Sequence, residues 1–216
     1  VGGDVPLSRC ARWVVFLLTA AALGCTDMVR VQASPSVLQH GIEIHRLAVA
    51  PFQMRRLATP PIPGETGSLV AGFFGDAMAR RGVEVIPATD VAQGLGLVVS
   101  EEPAEPIDAR SMVRSAAEKF GADVVAVGMV SRWRERSGQA AGTLQPASTG
   151  FEVRLYSASA GALLWAGAFD ETQVALGANV LAASQYPGGG TRWLTASEFA
   201  RFGADQIASR VPLAAR

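Results

Sequence analysis

The stretch Asp123-Val-Val-Ala-Val-Gly-Met-Val-Ser-Arg-Trp-Arg-Glu-Arg136 decides how the rest of this chain is read. Its first half is apolar at successive positions, as in a strand buried on both faces in the middle of a sheet. Its second half alternates, with Arg132, Arg134 and Arg136 on one face and Trp133 and Glu135 on the other. Such a strand begins inside a core and runs out of it. Beyond a small-residue loop over 137–149, Phe151 to Tyr156 and Leu163 to Phe169 flank the turn-like run Ser157-Ala-Ser-Ala-Gly161. That pattern predicts a hairpin with Phe151, Val153 and Leu155 on one face.

Working upstream, Ile44 to Phe52 predicts a first strand, stopped by Pro51, and a Pro-rich loop follows from Thr59 to Gly64. Leu69, Val70, Phe73, Phe74, Ala77 and Met78 recur at helical spacing between Thr66 and Arg81, with Gly82 where a C-terminal glycine belongs. Val83 to Ile86 reads as a short buried strand, and Thr89 as the cap of a brief helix through Gln93. The acidic run over 94–106 reads as a loop. Asp108 then opens a helix through Phe120 that ends at Gly121, and a last helix starts at Thr195 or Ser197 and carries Phe199, Phe202 and Ile207 to Val211. Residues 171–190 carry no clear period. Strand, helix, strand, helices, three strands and a helix predict an α/β fold, a single mixed β-sheet of about five strands with helices packed against it.

The first residues are of another kind. Arg9 and Arg12 precede an apolar run from Trp13 to Leu23 that only Thr19 interrupts. A helix needs roughly 20 apolar residues to cross a bilayer, so this run predicts a signal-peptide core. Its end, Ala22-Leu23-Gly24-Cys25, resembles the lipobox of bacterial lipoproteins, with Ala22 where Leu is more usual. The resemblance implies cleavage before Cys25 and lipid on its sulfur and new amino terminus. Residues 1–24 are then a signal peptide, 25–41 the lipidated Cys25 with a flexible tether, and 42–216 an α/β periplasmic domain. Fully extended, about 15 tether residues would reach roughly 50 Å. Thr26, rather than Asp, after the lipid site points to the outer membrane.

Composition bounds the function. The 216 residues carry 19 basic and 19 acidic side chains, a balance that argues against nucleic acid as a partner. Of the two cysteines, Cys10 would leave with the signal peptide and Cys25 would be consumed by lipid, so no thiol or disulfide is expected in the mature domain. Past residue 24 no second apolar run has the length of a membrane helix, so the expectation is an anchored chain.

Leu47-Ala-Val-Ala-Pro-Phe52, Arg80-Arg-Gly-Val-Glu-Val85, Lys119-Phe-Gly-Ala-Asp-Val-Val-Ala-Val-Gly-Met-Val130 and Leu155-Tyr-Ser-Ala-Ser-Ala-Gly-Ala-Leu-Leu-Trp165 together resemble a group of periplasmic α/β lipoproteins and domains. The group comprises the curli secretion protein CsgG, the penicillin-binding-protein activator LpoB and the amino-terminal domain of TolB. The resemblance runs from Ile44 to Phe169 and implies a TolB N-terminal-like fold and a non-enzymatic role: a secretion pore, an activator or a partner of an envelope complex. Against a pore, the outer end of the central strand carries Arg132, Arg134, Glu135 and Arg136, and no second membrane hairpin stands out.

Catalytic, metal and cofactor sites are not expected. His40 and His45 lack further ligands at metal spacing, Ser157, Ser159 and Ser184 sit in turn-like contexts, and Gly94-Leu-Gly96 and Pro187-Gly-Gly-Gly190 lack the rest of a nucleotide fingerprint. The candidate partner-binding residues are Arg132, Arg134 and Arg136, whose guanidinium groups could grip carboxylates or phosphates, with Trp133 and Trp193. The alternatives are a strand end made soluble by charge and paired with Glu152 or nearby acids, Trp133 covering the core, and Trp193 packing with Tyr186. The expected function is a lipid-anchored accessory or assembly protein on the periplasmic face of the outer membrane that binds another envelope protein. An oligomeric export component is the second reading, and an enzyme built from scattered carboxylates the third.

Overall fold

A computed structural model describes residues 28–97, 108–175 and 184–214. The segment read as a signal peptide, 1–24, and Cys25 lie outside the described residues, as do parts of the two stretches over 94–106 and 171–190. In chain order the elements are β1 (Val29–Ala33), α1 (Pro35–His40), β2 (Arg46–Val49), β3 (Gln53–Met54), α2 (Thr66–Arg80), β4 (Glu84–Ile86), α3 (Ala88–Gly94), α4 (Ala109–Phe120), β5 (Val124–Arg134), β6 (Ser137–Gln139), β7 (Gly142–Gln145), β8 (Ser148–Ser157), β9 (Leu163–Thr172), a 3₁₀ turn (Pro187–Gly190) and α5 (Ala196–Ser209).

The predicted central strand is β5, the longest of the main sheet. That sheet has seven strands rather than about five, in the order β1-β9-β8-β5-β2-β4, with β3 also beside β5. It is mixed as expected. β2 runs parallel to β4 and β5, β3 runs parallel to β5, and β5, β8, β9 and β1 alternate antiparallel. The first strand divides at Pro51: β2 stops at Val49 and β3 resumes, while Ala50 and Arg55 donate their N–H groups to Ala126 and Val130 of β5 at 2.9 and 2.8 Å.

The larger core fills the space between one sheet face and α2 with α5, around Phe74, Leu155, Trp165, Phe169 and Phe199. Phe169 is its hub, with ring centroids 5.7 Å from Phe151, 5.3 Å from Phe199 and 6.1 Å from Phe202. Such pairs contribute about 0.5–1.5 kcal/mol each beyond burial. Gly203 lets α5 approach that hub, because a Cβ there would lie 2.6 Å from the Phe169 ring. The smaller core lies on the opposite face, where Val91 of α3 and Met112, Val113 and Ala116 of α4 pack on Ala48, Ala50 and Val125. α4 keeps its predicted ends. The Asp108 side chain accepts from Ser111 N–H at 3.1 Å, and Gly121 closes the helix in the left-handed region at φ 61°.

Two expectations are corrected. The tether proposed for 25–41 is part of the domain from Val29 on: β1 hydrogen-bonds along β9, and Ser34 with Pro35 starts α1. Only Val29 of β1 is buried, and Val31 is 42% exposed, so β1 lacks a buried stripe of its own and gains its structure from pairing. The loop over 137–149 is also structured, forming the separate β6–β7 hairpin and the start of β8. Its glycines, alanines and Gln residues give no hydrophobic period to read.

Candidate functional site

The outer end of β5 changes phase. Val124, Ala126 and Val130 face the α2/α5 core, but the register with β8 shifts between Val130 and Arg132. Beyond that bulge Trp133 stands opposite buried Thr149 on the core side, and Arg132 and Arg134 face the other way. Without the bulge the arginines would be driven into the core. Trp133 is half-buried against the core, so it covers the core.

Glu135 follows on the core side and reaches α5, where its carboxylate oxygens accept the Ala196 N–H at 3.0 and 3.1 Å. Ala196 is the first residue of α5. Thr195 and Glu198 complete that helix start as a capping box, and Arg192 donates to both Glu198 oxygens at 2.9 and 2.8 Å. The Arg192 bonds are the main cause that pulls the Glu198 carboxyl down to about 2. The end of β5 and the start of α5 are thereby locked together by charge-assisted bonds.

The arginine stripe is largely committed inside the molecule. Arg132 crosses Gly150 to pair with Asp170 at 2.6 Å, and Arg30 of β1 approaches the same carboxylate at 4.0 Å. Gly150 is the opening for this crossing, since a Cβ there would lie 2.5 Å from Asp170 Oδ1. The acid that pairs with the stripe is therefore Asp170, while Glu152 pairs with Arg154 at 2.9 Å. Arg136 donates to the Gly138 carbonyl at 2.8 Å. Arg134 alone of the three has no ion pair or hydrogen-bonded head group among the described residues. Glu171 beside this cluster is pushed above the usual carboxylate range by burial, with the neighbouring Asp170 charge adding to it.

Trp193 is brought to the same end. Its backbone N–H donates to the Ala140 carbonyl in the β6–β7 turn at 2.9 Å, tying hairpin, loop and helix start together. It lines a recess of about 200 Å³ with Gln173 and Arg192. Tyr186 does not share that surface: it is buried, edge-on to Phe199 and Phe202 at 5.6 and 5.5 Å, and its hydroxyl is pushed up by burial.

Sequence reasoning missed a second surface. α3 and α4 cover the β2, β4 and β5 side of one sheet face, but no helix among the described residues covers the same face of β8, β9 and β1. The floor there is Ala166 and Ala168 of β9, opposite Arg154 and Glu152 of β8 and Gln32 and Arg30 of β1. The signal was the alternation of Ala166 and Ala168 with Trp165, Gly167 and Phe169, which puts both aromatic rings on the core face and only alanines on the other.

His45 pairs with Glu43 at 3.1 Å on the surface, and His40 Nδ1 donates to the Ser36 carbonyl at 3.2 Å. Among the described residues no cluster of acids, histidines or cysteines is arranged to hold a metal ion. No helix among them is long and apolar enough to cross a membrane.

No protein-family model and no curated protein matches this chain. Solved structures do. The PelC dodecamer from Paraburkholderia phytofirmans is similar with a TM-score of 0.50 at 16% identity, over 87% of this chain and 98% of that one. The lipoprotein GNA1162 from Neisseria meningitidis matches with a TM-score of 0.42 at 19% identity, over 59% of this chain and 83% of that one. The LpoB C-terminal domain from Escherichia coli matches with a TM-score of 0.40 at 19% identity, over 63% and 94%. The chain thus has a mixed α/β fold, and it shares that fold with the PelC subunit.

Proposed function

We propose that this protein is a lipid-anchored accessory or assembly protein on the periplasmic face of the outer membrane, and that it works by binding another envelope protein rather than by catalysis. The observation that carries this reading is the half-covered sheet. A face floored by Ala166 and Ala168 and rimmed by Arg30, Glu152 and Arg154 offers a partner flat backbone, small side chains and charges of both signs. Such a face suits a partner's helix or loop, whose larger side chains would fill the space above the alanines. The lipid anchor rests on the Ala22-Leu23-Gly24-Cys25 motif.

A photo-reactive amino acid placed at Ala168 in cells tests the reading, with Arg110 on the exposed side of α4 as the control position. A discrete adduct of one envelope protein at Ala168 but not at Arg110 is expected. No adduct at Ala168, or the same adducts at both positions, would refute the reading. Cys25→Ala tests the anchor: labelled palmitate should no longer be incorporated, and the chain should leave the membrane fraction.

A second reading is a ring of identical copies, as part of an export system. It is favoured by the shared fold with PelC, which was solved as a dodecamer. In that case the Ala168 adduct is a multiple of the chain itself.

A further inference from the structure

The chain enters the main sheet close to the end where β5 leaves it. Val29 stands opposite Phe169, which stands opposite Phe151, which stands opposite Val130. The outermost row is Arg134, Ser148 and Thr172, so Val29 lies about 10 Å inside that end at strand spacing. Cys25 is four peptide units before Val29, a reach of roughly 14 Å when extended. A lipid on Cys25 is therefore held within reach of this end surface, and the remaining chain is too short to hang the domain far from the bilayer.

The same end presents the two most exposed large apolar side chains among the described residues, Leu57 at 92% and Leu144 at 94%. Leu57 lies in the loop after β3, which runs alongside β5 in the same direction. Leu144 is on β7, in the hairpin inserted between the end of β5 and the start of β8. The next most exposed, Leu38 at 64%, is on α1, which follows β1 away from this end. Arg55 and Arg134 reach the same surface with no ion pair among the described residues. Its acids are mostly engaged: Asp170 by Arg132, Glu198 by Arg192 and Glu135 by the Ala196 N–H, leaving Glu65 and Glu171.

Exposed leucines beside unpaired guanidinium groups suit the boundary between phospholipid headgroups and acyl chains. We propose that this end rests on the bilayer that holds the anchor, with Leu57 and Leu144 entering the headgroup layer and Arg55 and Arg134 binding lipid phosphates. The proposal rests on lipidation at Cys25 and adds an orientation to it. The sheet stands with its arginine end on the membrane, and the face over Ala166 and Ala168 looks sideways, accessible to a partner.

The full-length lipidated protein, reconstituted in vesicles of phosphatidylethanolamine and phosphatidylglycerol with brominated acyl chains, provides the test. Leu57→Cys, Leu144→Cys and, at the opposite end in the β8–β9 turn, Ala160→Cys would each carry an environment-sensitive fluorophore. The chain has no cysteine besides Cys10 and Cys25, so labelling is specific. Insertion of roughly 5–10 Å predicts a blue shift and lipid quenching at 57 and 144 at least about threefold greater than at 160. Vesicle-bound protein whose three probes are equally wet would overturn the orientation alone. A blue shift at 57 and 144 without lipid quenching would assign this end to a protein contact and overturn it as well. Protein that does not float with the vesicles would overturn the anchor, and the orientation with it.

Discussion

Replacing Gly203 by Ala tests the packing of α5 on the sheet by the sign of its effect. In a helix interior Gly→Ala is ordinarily stabilising by about 1 kcal/mol, through the lost freedom of the unfolded chain. At Gly203 the new Cβ would lie 2.6 to 2.8 Å from three Phe169 ring atoms. That ring is fully buried and enclosed by Phe151, Phe199 and Phe202, so it has nowhere to turn. Overpacking of this kind costs about 1–3 kcal/mol, which outweighs the helix gain and leaves a net loss of about 1 kcal/mol. Gly72 on α2 is the control, because a Cβ there meets nothing within 4 Å, and Gly72→Ala should stabilise by about 0.5–1 kcal/mol. Gly75 falls between them, its Cβ 3.4 Å from Val85 Cγ1. In urea, with a slope of about 2 kcal/mol per molar, the midpoints of the Gly203 and Gly72 variants should separate by about 1 M, on opposite sides of the parent. A Gly203→Ala midpoint at or above the parent would refute the close approach of α5 to Phe169.

Gly150→Val should part Arg132 from Asp170 and strain β8, lowering stability by about 1–3 kcal/mol in the same urea assay. Ala166→Trp fills the open sheet face beside Ala168 without entering the core; it should abolish partner cross-linking from a probe at 168 while moving stability by no more than about 0.5 kcal/mol. The folded-state pKa of Glu198 is depressed, so its stabilising contribution is complete above about 4.5 and is lost as pH falls toward about 2. Discounted for exposure, that contribution is about 0.5–1 kcal/mol, and Glu198→Gln should remove it at neutral pH and flatten the acid limb of stability measured by thermal unfolding. Thr195→Ala removes the other half of the capping box and should cost about 1 kcal/mol by the same measurement.

What the sequence made legible follows from where a single side-chain period has one cause. β5, the β8–β9 hairpin, α2 and α4 each carry a continuous buried stripe or a cap pair, and they fold where the pattern places them. The start of α5 was legible only as Thr195 or Ser197, and the capping box of Thr195 with Glu198 sets it at Thr195. β1 was not legible, since an edge strand with one buried residue gets its hydrogen bonds from β9 rather than from its own pattern. The β6–β7 hairpin is held by backbone pairing and by the Trp193 bond to Ala140, which no local spacing encodes.

At the candidate site, the alternation of Arg132, Trp133 and Arg134 was visible, but its partners were not. Arg132 finds Asp170 across Gly150, and Glu135 finds Ala196 in another element, contacts that exist only once β9 and α5 are in place. The uncovered face is a property of which helices pack where. Alanines at 166 and 168 hint at it only after the sheet order is known.

The binding role proposed for this protein implies that it is not found alone. The decisive measurement is to extract the full-length protein from its membrane in mild detergent and determine the mass of the intact particle. A discrete complex is expected, either the chain with a stoichiometric envelope protein or a closed ring of copies. A lone chain of 22.5 kDa or less after signal removal, with no companion across a range of concentrations, would contradict it.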